Sequence, residues 1–193
     1  MEGRKDMKIK RVAFVLVLGV LAVAVRSFFA FEKEVFICTA LSTSADQGGS
    51  RKELTIQIEE FTSDEEILKY MEILKTGGQD TLKVDIDKAD KGSIYSRGET
   101  RERFNFARSR PTQKGRLITI ISSRDFRIRE FGASASRSRE FRYTFIYLQL
   151  DEKGEGNGYM FPGTKIEFDS KGRLILEQIG ADAVALQRVR PIK

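Results

Sequence analysis

The stretch 141–168 constrains the fold more than any other part of the chain. Phe-Arg-Tyr-Thr-Phe-Ile-Tyr-Leu-Gln-Leu is followed by Asp-Glu-Lys-Gly-Glu-Gly-Asn-Gly, then by Tyr-Met-Phe-Pro-Gly-Thr-Lys-Ile-Glu-Phe. Two runs rich in aromatic and β-branched residues around a glycine-rich polar break specify a β-hairpin. In the first run Phe141, Tyr143, Phe145 and Tyr147 fall on one side, and Ile146, Leu148 and Leu150 on the other. A strand apolar on both faces is expected to be buried on both, which places this hairpin in the middle of the fold.

The rest of the chain supplies further strands and one clear helix. Residues 36–41 read as a first strand, followed by a Ser-, Asp- and Gly-rich loop. Over 53–61, Leu54, Ile56 and Ile58 alternate with Thr55, Gln57 and Glu59, the pattern of a half-buried antiparallel strand. Ser63 and Glu66 have the spacing of a capping box, and an acidic first turn suits the helix dipole. Ile67, Leu68, Met71 and Leu74 recur at helical spacing until Gly77-Gly78 ends the element. Leu82, Ile86 and Ala89 favour a second short helix within 79–90, although Leu82, Val84 and Ile86 also alternate like a strand. From Ser93 onward strands are expected over 93–97, 101–110, 116–123 and 127–131, with a turn at 111–115 and a loop at 132–139. After the hairpin come a turn at Ser170-Lys171-Gly172, a strand over 174–179 and a last one through Val184, Leu186 and Val189. This succession predicts an α+β fold: a mostly antiparallel, strongly curved sheet or small barrel with one or two helices near the N-terminal side.

The N-terminus has the pattern of an export signal. Arg4, Lys5, Lys8, Lys10 and Arg11 precede an apolar run from Val12 to Val25, and Ala22-Val23-Ala24 supplies small residues for cleavage after Ala24. An uncleaved anchor running on to Phe31 would place Arg26 inside the membrane, which is costly. Residues 1–24 are therefore expected to be a signal peptide and 25–50 an N-terminal strand and loop. Residues 51–193 then form a single α+β domain continuous with that strand. Cys38 is not read as a lipidation site, because Val35-Phe36-Ile37 lacks the small residue such a site requires. Loss of residues 1–24 lowers the net charge from +6 to +3, so much of the basic character is addressing.

A single cysteine cannot form an internal disulfide, and Cys38 reads as a small buried hydrophobe, with an intermolecular bridge as the alternative. The absence of histidine excludes Ser-His-Asp and Cys-His catalysis and argues against an imidazole-ligated metal. No cofactor or metal site is expected.

The chain resembles a group of small exported bacterial proteins to which no activity is assigned. The resemblance rests on Ala40-Leu41-Ser42-Thr43, Thr62-Ser63-Asp64-Glu65, Gly77, Gly92 and Gly115-Arg116. It continues through Gly154-Glu155-Gly156-Asn157-Gly158, Thr164-Lys165-Ile166, and Val184-Ala185-Leu186 with Val189. It covers nearly all of the chain after the signal. It implies export and a single domain, and it brings no site residues.

Three stretches are candidate sites. Residues 97–142 carry thirteen basic against five acidic side chains, whereas 51–91 carry seven against eleven. On the 101–110 strand, alternation places Phe104, Phe106, Arg108 and Arg110 on one face, with Arg101 and Arg103 on the other. Arginines beside aromatics suit an anionic small molecule, a lipid headgroup or a polysaccharide. Export argues against nucleic acid, and a membrane becomes a partner only if the N-terminal segment stays uncleaved. The competing reading is a solvated basic face paired with the acidic helical region of the same molecule. Asp151–Gly158 interleaves oxygen side chains with glycine but departs from the calcium-loop pattern at Lys153, and it reads as a plain hairpin turn. A histidine-free hydrolase acting on glycans would need paired carboxylates. Glu59, Glu60, Glu167, Asp169 and Glu177 lie on or near strands, but nothing in the sequence pairs two of them. The expectation is an exported, periplasmic or secreted, non-catalytic domain that binds a small or anionic ligand or an envelope partner. An N-terminally anchored structural envelope protein is the third alternative.

Overall fold

The computed structural model describes residues 33–41, 51–124, 126, 143–168, 174–178 and 183–192. The expected signal, the strand over 127–131, the loop over 132–139 and the turn at 170–172 lie outside the described residues. The elements are β1 (Glu34–Leu41), β2 (Arg51–Ile58), α1 (Asp64–Ile86), β3 (Gly92–Tyr95), β4 (Glu102–Phe104) and β5 (Phe106–Thr112). They continue with β6 (Gly115–Ser122), β7 (Tyr143–Leu150), β8 (Gly156–Phe168), β9 (Leu174–Gln178) and β10 (Val184–Pro191). All pairings are antiparallel. The strand order is β4-β3-β2-β1-β10-β8-β7-β6-β5, with β9 on the far end of β8. Among the described residues no helix is long and apolar enough to cross a membrane.

The sheet curls into a nearly closed barrel. β1 and β6 are four places apart in the strand order, roughly 19 Å in a flat sheet. Yet Arg116 of β6 grips Glu34 of β1 through two hydrogen bonds of 2.8 and 2.6 Å, with its guanidinium 5.8 Å from the Phe36 ring. The first and last strands of the order, β4 and β5, are consecutive in the chain with only Asn105 between them. This one bent stretch pairs with β3 through β4 and with β6 through β5. The Asn105 N–H donates to Ile121 O at 3.0 Å, and the Ser122 hydroxyl donates to Arg103 O at 2.9 Å. Inward side chains from all these strands, among them Phe36, Ile56, Ile94, Phe104, Ile118, Leu148 and Leu186, form one contiguous core. That is how a barrel of about eight strands is filled.

α1 begins with the expected box: the Ser63 N–H donates to Glu66 Oε2 at 2.8 Å and the Glu66 N–H to Ser63 Oγ at 3.2 Å. The two expected helical stretches are one helix kinked at Gly78, whose φ of 69° only glycine adopts without strain. The helix covers part of the outer sheet face, burying Leu74, Leu82 and Ile86 against Tyr143 and Ile166, with Phe106 and Ile121 at the margin. Each such side chain contributes roughly 1.5–3 kcal/mol of transfer free energy. The Tyr143 hydroxyl donates to Gln79 O at 2.9 Å and fixes the second half of the helix. Leu68 is 69% exposed, and Met71 is exposed as well. The buried stripe instead runs through Tyr70, Ile73 and Leu74, because Tyr70 belongs to the apolar face that an aliphatic count misses.

The segment before α1 protects the open edge of β5. The Thr62 N–H donates to Ala107 O at 2.6 Å, and the Ala107 N–H donates to Thr62 Oγ1 at 3.1 Å. Lys91, its side chain only 6% exposed, ties the end of this connection to its start through Glu60 (3.1 Å) and Glu66 (3.0 Å).

Candidate functional site

The four residues expected to share a basic aromatic face do not share one. Asn105 breaks the alternation between β4 and β5, and a slip of one residue exchanges inside for outside. Phe104 points into the barrel core with no exposed surface. Phe106 points outward and packs at the margin of α1. Arg108 donates to Asp64 Oδ1 at 2.5 Å at the start of α1, and Arg110 is exposed. Arg101 stacks on the Tyr95 ring at 4.2 Å, while Arg103 meets Asp90 at 3.4 Å. Much of the described basic block therefore faces the acidic region of the same molecule. That satisfies the charge asymmetry internally and leaves Arg110 as its outward remainder on β5.

The central hairpin behaves differently from its expected burial on both faces. Ile146, Leu148 and Leu150 are buried in the barrel, and Tyr143 is buried under α1. Phe145 and Tyr147 are only half-buried. They stand on the outer face beside Phe161 and Tyr159 of β8, in register Phe145↔Phe161 and Tyr147↔Tyr159. Tyr147 lies 5.6 Å from Tyr159 and 6.0 Å from Phe161, the latter at an interplanar angle of 17°. Tyr159 lies 6.2 Å from Phe161 at 28°, and Phe145 6.4 Å from Phe161. Tyr159 is 43% exposed. The four rings form an aromatic platform just beyond the part of the face that α1 covers.

Two glycines hold the platform together. In the 151–158 break only Asp151–Glu155 is turn: Asp151 Oδ1 accepts the N–H groups of Lys153 (2.8 Å) and Glu155 (2.9 Å), and the Asp151 N–H donates to Glu155 O at 2.8 Å. Gly156 and Gly158 already belong to β8. A Cβ at Gly158 would lie 2.2 Å from Tyr147 O, and one at Gly156 would lie 1.9 Å from Gln149 O. Only glycine lets β8 approach β7 this closely, which sets the tyrosine rows side by side.

At the hairpin end the platform opens into a groove of about 420 Å³, lined by Lys114, Tyr147, Gln149, Glu155, Asn157 and Tyr159 among others. Gln149 and Asn157 are opposite each other in the register, one pair beyond the tyrosines, and both are exposed. Asn157 Oδ1 accepts the N–H of Arg188, a residue at φ 55° in a bulge of β10. The amide nitrogen of exposed Asn157 takes no part in that bond. The groove thus joins two phenols and two carboxamides with one ammonium and the carboxylates of Glu155 and Asp151. None of the platform residues was singled out in the sequence as a site, although the alternation of Tyr143, Phe145, Tyr147 and Gln149 carried the signal.

Other titratable groups brace the fold. Burial raises the Glu66 carboxyl, but the Ser63 N–H and the Lys91 ammonium outweigh it and hold Glu66 below its ordinary value. A hydrogen bond from the Ser123 hydroxyl (2.6 Å) lowers Asp87 in spite of some burial. Burial, with Glu53 nearby, pushes the Cys38 thiol up to about 12 in the barrel core. Among the described residues no cluster of acidic side chains and cysteine has the makings of a metal site. Of the candidate catalytic carboxylates, Glu59 is exposed and paired with Lys33, while Glu60 pairs with Lys91. Asp169 and the side chains of Glu167 and Glu177 lie outside the described residues. Comparison with protein-family models, with curated proteins and with solved structures finds no match for the chain.

Proposed function

We propose that this chain is an exported, non-catalytic binding domain that takes its ligand on the outer face of β7 and β8. The observation that carries the proposal is the platform of Phe145, Tyr147, Tyr159 and Phe161, Tyr159 exposed and the other three rings half-buried, next to a helix that buries the adjoining stretch of the same face. Exposed aromatic surface of this kind marks interaction sites. The barrel interior is occupied by its own core side chains, so the outer face is the better seat. Export rests on the basic and apolar pattern of residues 1–24. The chain has five Tyr and no Trp, so its intrinsic emission reports on tyrosine, two of which stand on the platform. The test titrates the full chain with anionic phospholipid vesicles, with a polyuronate and with neutral oligosaccharides, following tyrosine emission. One probe is expected to change the signal, and the Tyr147→Ser, Tyr159→Ser double variant is expected to lose binding of that probe by equilibrium dialysis or co-sedimentation. No response to any probe, or unchanged binding by the variant, refutes the proposal.

A further inference from the structure

We infer that the ligand of the β7–β8 face is a neutral glycan chain, its sugar rings lying on Tyr147 and Tyr159 and its hydroxyls read by Gln149 and Asn157. The inference rests on the outer-face proposal above and narrows it to one chemistry.

The charge of the groove's own lining disfavours the anionic ligands that the arginines suggested, with Arg110 (Arg110↔Leu117↔Gln149) and Arg188 standing at its margins outside that lining. Lys114 is the one cation lining the groove among the described residues, and Asp151 and Glu155 line it as well. A phosphate or uronate held by the lining itself meets two carboxylates and one ammonium. Arg108, the nearest arginine in the same register row (Arg108↔Thr119↔Tyr147), is engaged with Asp64. An acyl chain fits no better. It would strip water from Gln149, Glu155 and Asn157 without replacing the lost hydrogen bonds, about 1–3 kcal/mol for each group left unsatisfied.

A pyranose ring matches what is present. Its faces carry electropositive C–H groups that favour the negative face of an aromatic ring. Its edge carries hydroxyls that both donate and accept, as carboxamides and phenols do. The platform also has direction. Carboxamide pair, tyrosine pair and phenylalanine pair succeed one another along β7 and β8 at two-residue steps, about 6.6 Å apart. That order presents one polar and two aromatic rows to a ligand lying along the strands, which suits a linked chain of rings better than a single sugar. The groove's 420 Å³ lies within the range of small-molecule sites, roughly 300–1,000 Å³.

The test uses the full chain with cellohexaose, chitohexaose and mannohexaose, with a hexameric polyuronate as the charged control. At least one neutral hexamer is expected to bind, more tightly than its dimer and with less than a twofold change in Kd on adding salt. Tyr159→Ala is expected to weaken binding about tenfold or more, and Gln149→Ala with Asn157→Ala about five- to thirtyfold. Unchanged urea midpoints of the variants separate lost contacts from lost folding. If the polyuronate or anionic vesicles bind through Tyr147 and Tyr159 and the neutral hexamers do not, the glycan assignment falls while the outer-face proposal stands. If no probe binds, or sedimentation shows that the same variants abolish self-association instead, both fall.

Discussion

Replacing Asn105 tests how the two ends of the sheet are joined. Asn105 is 2% exposed, its Nδ2 donates to Ala89 O at 2.8 Å, and its Oδ1 accepts the Ser123 N–H at 2.9 Å. Asn105→Ala leaves the partly buried Ala89 carbonyl and the buried Ser123 N–H without these partners. A buried group left unsatisfied costs about 1–3 kcal/mol and the partly buried carbonyl less, so the expected loss is roughly 2–4 kcal/mol. That is a large part of the 5–15 kcal/mol typical of a whole domain. With a urea slope of about 2 kcal/mol/M, a loss near 4 kcal/mol moves the unfolding midpoint down by about 2 M. Asn105→Asp keeps the acceptor for Ser123 but loses the donor to Ala89. It also places a second carboxylate beside Asp87, which already accepts from the Ser123 hydroxyl. It is therefore destabilised at pH 7 and recovers in part when acid protonates the new carboxyl. Urea unfolding followed by tyrosine emission measures both variants. A change of less than about 1 kcal/mol for Asn105→Ala would show that strand pairing alone holds the bend.

Glu34→Gln removes the charge that grips Arg116 across the barrel, and since both side chains are partly exposed the expected loss is about 1–2 kcal/mol, measured as a coupling energy in a cycle with Arg116→Met. Because Glu66 lies below its ordinary value of 4.5 in the folded protein, its contribution is present above that pH and fades as pH falls through the folded value. The difference in Tm between wild type and Glu66→Gln is thus expected at pH 7 and closes under strong acid; a gap that stays constant contradicts it. Cys38, buried and with its pKa near 12, is expected to react with a disulfide reagent at pH 8 only on the timescale of unfolding, and rapid labelling of the native protein contradicts that. Gly158→Val puts a Cβ where Tyr147 O stands and is expected to destabilise by more than 2 kcal/mol while separating the tyrosine rows, seen as altered near-ultraviolet circular dichroism.

Local patterns carried the elements well. The alternation of Leu54, Ile56 and Ile58, the Ser63–Glu66 box and the hairpin around Asp151–Glu155 all depend on neighbours close in sequence, and all are present. Which side chains share a face was legible where the alternation is unbroken, as for Leu54, Ile56 and Ile58 or Ile146, Leu148 and Leu150, but not for Phe104, a core side chain that the alternation put on the basic face. The site was not legible, because which outward residues stay uncovered is decided by contacts distant in the chain. α1 lies over Tyr143 but leaves Tyr147 half-exposed, and no alternation pattern distinguishes those two tyrosines. Asn105 caused the other error. A one-residue slip in an otherwise regular run separates Phe104 from Phe106, and its cause, hydrogen bonds to Ala89 and Ser123, comes from segments 16 and 18 residues away. The arginine excess looked like a partner surface because its acidic partners in and around α1 precede it, Asp90 by 13 residues and Asp64 by 44.

The most direct test of the outer-face account is an aromatic carbon–proton NMR spectrum of the full chain with labelled tyrosine, recorded during titration with the neutral hexamer that binds. The rings of Tyr147 and Tyr159 are predicted to shift together and saturably, while those of Tyr70, Tyr95 and Tyr143 hold their positions. Shifts centred on Tyr95, where Arg101 stacks, or on Tyr143 beneath the helix, with Tyr147 and Tyr159 unmoved, would contradict the account.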